Sequence, residues 1–203
     1  MTVSDLLTKL NGRTPRFVTI SGLVVGSANV TKESNGYLHV EHGRVTPIMK
    51  HTFHGGDDPV SPDDVEPWWL STPWAIALER SNVAFAFPGF VDVAIAGVPG
   101  WVGQIDTGHG KFQIEVLHRP DHGLPMIEVL KPARLERPRG RRMVSSPHRY
   151  RSGLLCVADT IDWKPAEHDA VVAIAWAAHW LAAYTLWRAN LQWPWAGVDV
   201  QAV

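Results

Sequence analysis

A chain of 203 residues, 45% of them hydrophobic, is long enough to bury one sizeable core, and a net charge of -1 removes any global attraction to nucleic acid or anionic membrane. Its single cysteine, Cys156, excludes an internal disulfide, and the start MTVSDLLTKLNGR lacks a basic segment followed by an apolar one, so a reducing cytoplasm is the expected location. Charge is nevertheless uneven: Asp57, Asp58, Asp63, Asp64 and Glu66 crowd one stretch, whereas Arg134, Arg137, Arg139, Arg141, Arg142, Arg149 and Arg151 crowd another.

The first sixty residues read as β-rich, because RFVTISGLVV and YLHVEHGRVTPIM carry β-branched and aromatic residues punctuated by glycine. HGGDDPVSPDDVEP then reads as a linker. The expectation is an amino-terminal β-rich extension over 1–60, of unknown role and removable without unfolding the rest, followed by a main domain over 61–203. A helix is expected from about Ser71 to Phe87, with Pro73 in its first turn and FPG at its end. WVGQID, KFQIEVLHR and PMIEVLKPA alternate with period two and are separated by glycine-bearing turns, which predicts consecutive antiparallel hairpins. Residues 132–152 show neither period. AVVAIAWAAHWLAAYTLW returns to helix, and its length raises a membrane span; an Ala-rich run with His179 near its middle and Trp176, Trp180 and Trp187 at helical spacing fits a buried helix better.

Two side groups of residues carry weaker signals. His51, His54, Asp57 and Asp58 offer zinc-compatible donors without a second ligand pair, so a solvated loop is the plainer reading, and neither a metal nor a cofactor is expected. The arginine run from 134 to 151 fits a solvated face or a protein-docking patch better than a nucleic-acid groove.

Cys156 sits in HRYRSGLLCVADTIDWKP, and a lone cysteine is ordinarily a small buried hydrophobe. Its surroundings argue for more. His148 precedes it by eight residues, Gly153, Leu154 and Leu155 lead into it, and Trp163 and Pro165 follow. This spacing, after helix and three strands and before a helix, resembles the ubiquitin-conjugating enzymes, the E2 family, and above all their divergent prokaryotic relatives. The resemblance covers roughly Trp68 to the carboxyl terminus. It implies an α+β protein with the E2 (UBC-like) fold, an antiparallel meander sheet flanked by helices.

It further implies that Cys156 accepts a ubiquitin-like protein as a thioester from an E1-like activating enzyme and passes it to an amine on a target protein, in a bacterial antiviral setting, without nucleic acid or membrane as partner. In the family a His-Pro-Asn motif precedes the cysteine; here Arg149 and Tyr150 stand at the proline and asparagine positions. Tyr150 is then the candidate oxyanion donor and His148 a structural brace for the loop, with general base its alternative. Arg149 and Arg151 are candidates to raise the thiolate fraction, or simply to solvate the loop. Trp163 and Pro165 are read as packing residues, and only Asp159 and Asp162 supply acids near the cysteine. A carrier thiol that must meet two proteins is expected to be at least partly exposed at a groove edge. The rival readings are an inactive E2-like binding module and a cysteine hydrolase built on Cys156 and His148.

Overall fold

The computed structural model describes residues 16–60 and 64–199; the reading of the first fifteen residues and of Asp63 lies outside them. The chain begins with five short strands: β1 (Arg16–Thr19), β2 (Val24–Gly26), β3 (Val30–Glu33), β4 (Gly36–His39) and β5 (Gly43–Pro47). They form one antiparallel sheet in the order β2-β1-β5-β4-β3. Phe17, Val18, Val24 and Val45 are buried, so this sheet has an inner face of its own. At the β1–β2 turn, Gly22 has φ 98° and a side chain there would lie 2.7 Å from Ile105 Cγ2. A glycine is therefore required where the first sheet meets the second.

After β6 (His51–Thr52), a short helix α1 (Trp68–Ser71) precedes the expected helix, which is α2 (Pro73–Ala86). The Thr72 hydroxyl donates to the Trp68 carbonyl at 2.8 Å, closing α1, while Pro73 starts α2, where its missing N–H is not needed. The second sheet is a meander of β7 (Val91–Ile95), β8 (Val98–Asp106), β9 (Lys111–Leu117) and β10 (Met126–Lys131), each antiparallel to the next. The expected alternation holds in β8 and β9: Trp101, Ile105, Phe112, Ile114 and Val116 are buried. β7 was not foreseen. Its Val91 and Ile95 are exposed, so it shows no buried face, and it is paired through a turn at Ala96 and Gly97, both with positive φ (50° and 82°).

The patternless stretch contains a small basic hairpin, β11 (Arg137–Arg139) with β12 (Arg142–Val144). Beyond the cysteine, Asp159 caps a 3-10 turn at Thr160–Asp162 by accepting from the Ile161 N–H. Asp169 then accepts from the Val171 and Val172 N–H groups and starts α3 (Ala170–Asn190). α3 is long and apolar enough to cross a membrane, but it is mostly buried inside the protein and forms the centre of the core.

That core is continuous. Val18, Ile48 and Phe53 from the amino-terminal part share one cluster with Ile105, Ile114, Trp176 and Trp180. Trp176 Nε1 donates to the Met49 carbonyl at 3.0 Å, and β6 pairs with β13 (Gly197–Val198) near the other end of the chain. A buried polar seam joins the two parts: Arg16 Nη1 donates to His179 Nε2, His179 Nδ1 lies 3.1 Å from His51 Nε2, and His51 Nδ1 reaches the Met49 carbonyl at 2.8 Å. The strands before residue 60 thus pack on α3 instead of standing apart from it, contrary to the expectation of a removable extension. The linker composition at 54–60 belongs to a segment that lies against the rest of the protein, not to a gap between cores.

Candidate active site around Cys156

The segment before the cysteine folds back on itself because two residues tolerate left-handed backbone: His148 at φ 54° and Gly153 at φ 96°. Tyr150 N–H donates to the Leu154 carbonyl and Gly153 N–H to the Tyr150 carbonyl, both at 3.0 Å, and Arg149 bridges Leu155 across the loop. The Arg149 guanidinium donates to the Gly153 carbonyl through Nε at 3.0 Å and Nη2 at 2.7 Å. The His148 carbonyl accepts from the Cys156 N–H at 3.1 Å and from Trp180 Nε1 at 2.9 Å, which fastens the loop to α3. Its ring Nδ1 pairs with the His54 carbonyl. His148 thus ties the loop both to α3, through its carbonyl, and to the His54 carbonyl, through its ring.

The Cys156 S–H donates to the Ala158 carbonyl at 3.6 Å. Tyr150, the His54 backbone and the Asp159 carboxylate all lie close enough to the sulfur to act on its ionisation. Burial pushes the thiol above its usual pKa of 9.0; Tyr150 and the His54 N–H pull the other way, and Asp159 adds to the rise. Tyr150 is likewise pushed up, first by burial and then by the neighbouring sulfur. His54 Nδ1 stands 3.7 Å from Asp159 Oδ2, with the histidine side chain largely exposed.

Two sequence expectations are overturned here. Cys156 is 0% exposed, not at an open groove edge, and residues 54–58 lie against the loop that precedes it. Nor do the arginines favour the thiolate: Arg149 is spent on Gly153, and Arg151 pairs with Asp57 at 2.9 Å, out in solvent. Trp163 packs as expected, with Nε1 on the His122 carbonyl at 2.8 Å, whereas Pro165 is exposed.

The covering segment was missed from sequence. Gly56 bridges Tyr150 in parallel, Gly55 passes against His148 with a would-be Cβ 3.5 Å from its Cα, and Asp58 accepts from the Ser152 N–H at 3.0 Å and from its hydroxyl. The available signal was charge: an acidic pair at 57–58 matched to a basic loop at 149–151. His51 and His54 do not share a site, since His51 points into the core seam while His54 faces Asp159. Among the described residues no group of three or more His, Cys, Asp or Glu is arranged to hold a metal.

A single thiol in a braced loop, with a tyrosine beside it, is a set suited to forming and stabilising an acyl–sulfur bond, the chemistry of an E2-like protein. Comparison at the level of families agrees: the model of the Type II CBASS E2 proteins matches residues 79–200, more than half of the chain. The chain belongs to the Type II CBASS E2 protein family, and so to the prokaryotic E2-like proteins of a bacterial antiviral system. No curated protein and no solved structure matches it.

Proposed function

We propose that the protein is a working E2-type carrier with a UBC-like domain, in which Cys156 takes the carboxyl terminus of a ubiquitin-like protein from an E1-like enzyme and hands it to an amine on a target protein in the cytoplasm. In the first step the thiolate attacks the activated carbonyl, the sulfur–carbon bond forms and the E1-side leaving group departs. In the second, the amine attacks the thioester, an amide forms and the Cys156 thiolate leaves. Each tetrahedral intermediate carries an oxyanion, for which the Tyr150 hydroxyl is the donor. Asp159 is the carboxylate near the sulfur that takes up the proton lost by the amine.

The observation that carries this reading is the placement of Tyr150 beside the one thiol of a chain in this family, in a loop fastened to α3. A binding module without transfer activity is favoured by a different observation, the complete burial of that thiol. A hydrolase has less support, because the His148 ring is committed to the His54 carbonyl. Incubation with the cognate E1-like enzyme, its modifier and ATP separates these readings. The carrier forms an adduct that reducing agent removes, and Cys156→Ala abolishes it; a reductant-resistant adduct on Cys156→Ala would refute the carrier role.

A further inference from the structure

The cover over Cys156 spans two firm anchors. At one, Phe53 is 4% exposed and packed in the core, with its N–H on the Ala196 carbonyl at 2.6 Å beside the β6–β13 pair. At the other, Arg119, itself 5% exposed and held by Asp121, donates to the Pro59 carbonyl at 3.3 Å and to the Val60 carbonyl at 2.9 Å. Only His54–Asp58 lie between, and two of these residues are adjacent glycines, Gly56 with φ 124°.

The span and its anchors are held by different forces. Phe53 belongs to the apolar cluster, whereas nothing from His54 to Asp58 does. The span is fastened by polar clasps: Asp57 to Arg151, Asp58 to Ser152, His54 to Asp159, and the His54 carbonyl to His148. The Asp57–Arg151 pair is 77% and 81% exposed, where water and salt compete with it. A short segment with glycine freedom, exposed clasps and no apolar anchor of its own opens without unfolding its surroundings.

We infer that His54–Asp58 is a hinged cover that shuts Cys156 away and is displaced when the thiol acts. The inference rests on the carrier reading of the thiol. Closed, it keeps the sulfur out of contact with solvent; lifted, it leaves Tyr150 beside an accessible thiol and clears the path for an acyl donor. All four clasps join residues upstream of the family-matched region, 54–58, to residues inside it.

The test is the alkylation rate of the single cysteine by iodoacetamide in the intact, full-length chain, followed by mass spectrometry. Wild type is expected to react far more slowly than the urea-unfolded chain. D57N/D58N removes the ion pair with Arg151 and weakens the clasp on Ser152 by taking away its charge, and is expected to react about tenfold faster with the thermal midpoint retained. Ser152→Ala and added salt on the wild type give smaller increases, and they decide the matter if the double variant does not fold. Measuring at two pH values separates opening, which multiplies the rate at both, from a change in ionisation, which moves the pH midpoint. A wild type as reactive as the unfolded chain, or a protected wild type whose rate is untouched by D57N/D58N, Ser152→Ala and salt, would overturn the cover. Neither E1-like enzyme nor modifier takes part, so a chain that obeys the clasps but forms no thioester refutes the carrier reading alone.

Discussion

Mild acid is expected to loosen the seam between the amino-terminal sheet and α3. Arg16 and His179 are 0% exposed and His51 is 1% exposed. A guanidinium has only donors, so it fixes His179 with its proton on Nδ1, and His179 in turn fixes His51 with its proton on Nδ1. Both imidazoles are held neutral. Phe53 and Trp176 flank the His51 ring, Trp195 stacks on His179 and also carries Arg16 over its face, and the nearest acid, Asp199, acts on Arg16. Burial, first, and the Arg16 charge lower His51 to about 4 from 6.5, and His179 is lowered well below 6.5 by burial, His51 and Arg16. In the unfolded chain His51 takes its proton as the pH falls through 6.5, while the folded chain refuses it until about 4. Its contribution is therefore full above 6.5 and lost between there and about 4. The whole gap of about 2.5 pH units corresponds to about 3 kcal/mol, of which about 2 kcal/mol is gone at pH 5. For a chain of this size that is a fall in Tm of about 4–8 °C between pH 7 and pH 5. His122, His148 and His168 are lowered too and add in the same direction, so the informative quantity is a difference between proteins. Urea unfolding followed by circular dichroism at pH 7 and pH 5 should show a drop in wild type that shrinks by about 2 kcal/mol in His51→Gln. An equal drop in His51→Gln, or none in wild type, refutes the seam as the acid-sensitive element.

Tyr150→Phe, which keeps the ring and removes the hydroxyl, is expected to slow transfer about 10²-fold in a single-turnover discharge assay while the protein remains folded. Gly100→Ala would place a methyl group 2.2 Å from the Val116 carbonyl in the β8–β9 pairing, so loss of about 1–3 kcal/mol or failure to fold is expected in thermal melts. A chain starting at residue 64 strips Val18, Ile48 and Phe53 from the shared core and should aggregate or melt without a cooperative transition by calorimetry; a cooperative transition would show that the amino-terminal strands are dispensable. Asp169→Ala removes the cap of α3 and is expected to lower stability by about 1 kcal/mol in urea titration.

The parts of the fold legible in the sequence are those written in local periodicity. β8 and β9 alternate cleanly, and α3 combines an acidic cap with an unbroken apolar run. β7 was hidden because an edge strand with both Val91 and Ile95 exposed has no buried side to alternate with. The cysteine loop was legible through spacing alone, since His148, Gly153 and Cys156 lie within nine residues. What lies over it was not: the contacts from His54, Asp57 and Asp58 to the loop cross about ninety residues of sequence, and a Gly-Gly-Asp-Asp run has the composition of any surface turn. The misjudged arginines have the same cause. Their charge is evident in the sequence, but whether it falls on the thiol depends on which carbonyl or carboxylate reaches it first.

The pairing of Thr52 with Gly197 and of His51 with Val198 has a consequence for how the protein comes into being. One anchor of the segment over Cys156 is tied to strand partners at Gly197 and Val198, and Phe53 reaches its carbonyl partner only at Ala196. On a ribosome the cysteine and its tyrosine emerge well before those residues. Contacts of such long sequence separation form late, because the loop they close must be drawn together first. The thiol is thus made before the residues that anchor the segment over it, and shielding must wait until Ala196–Val198 are available.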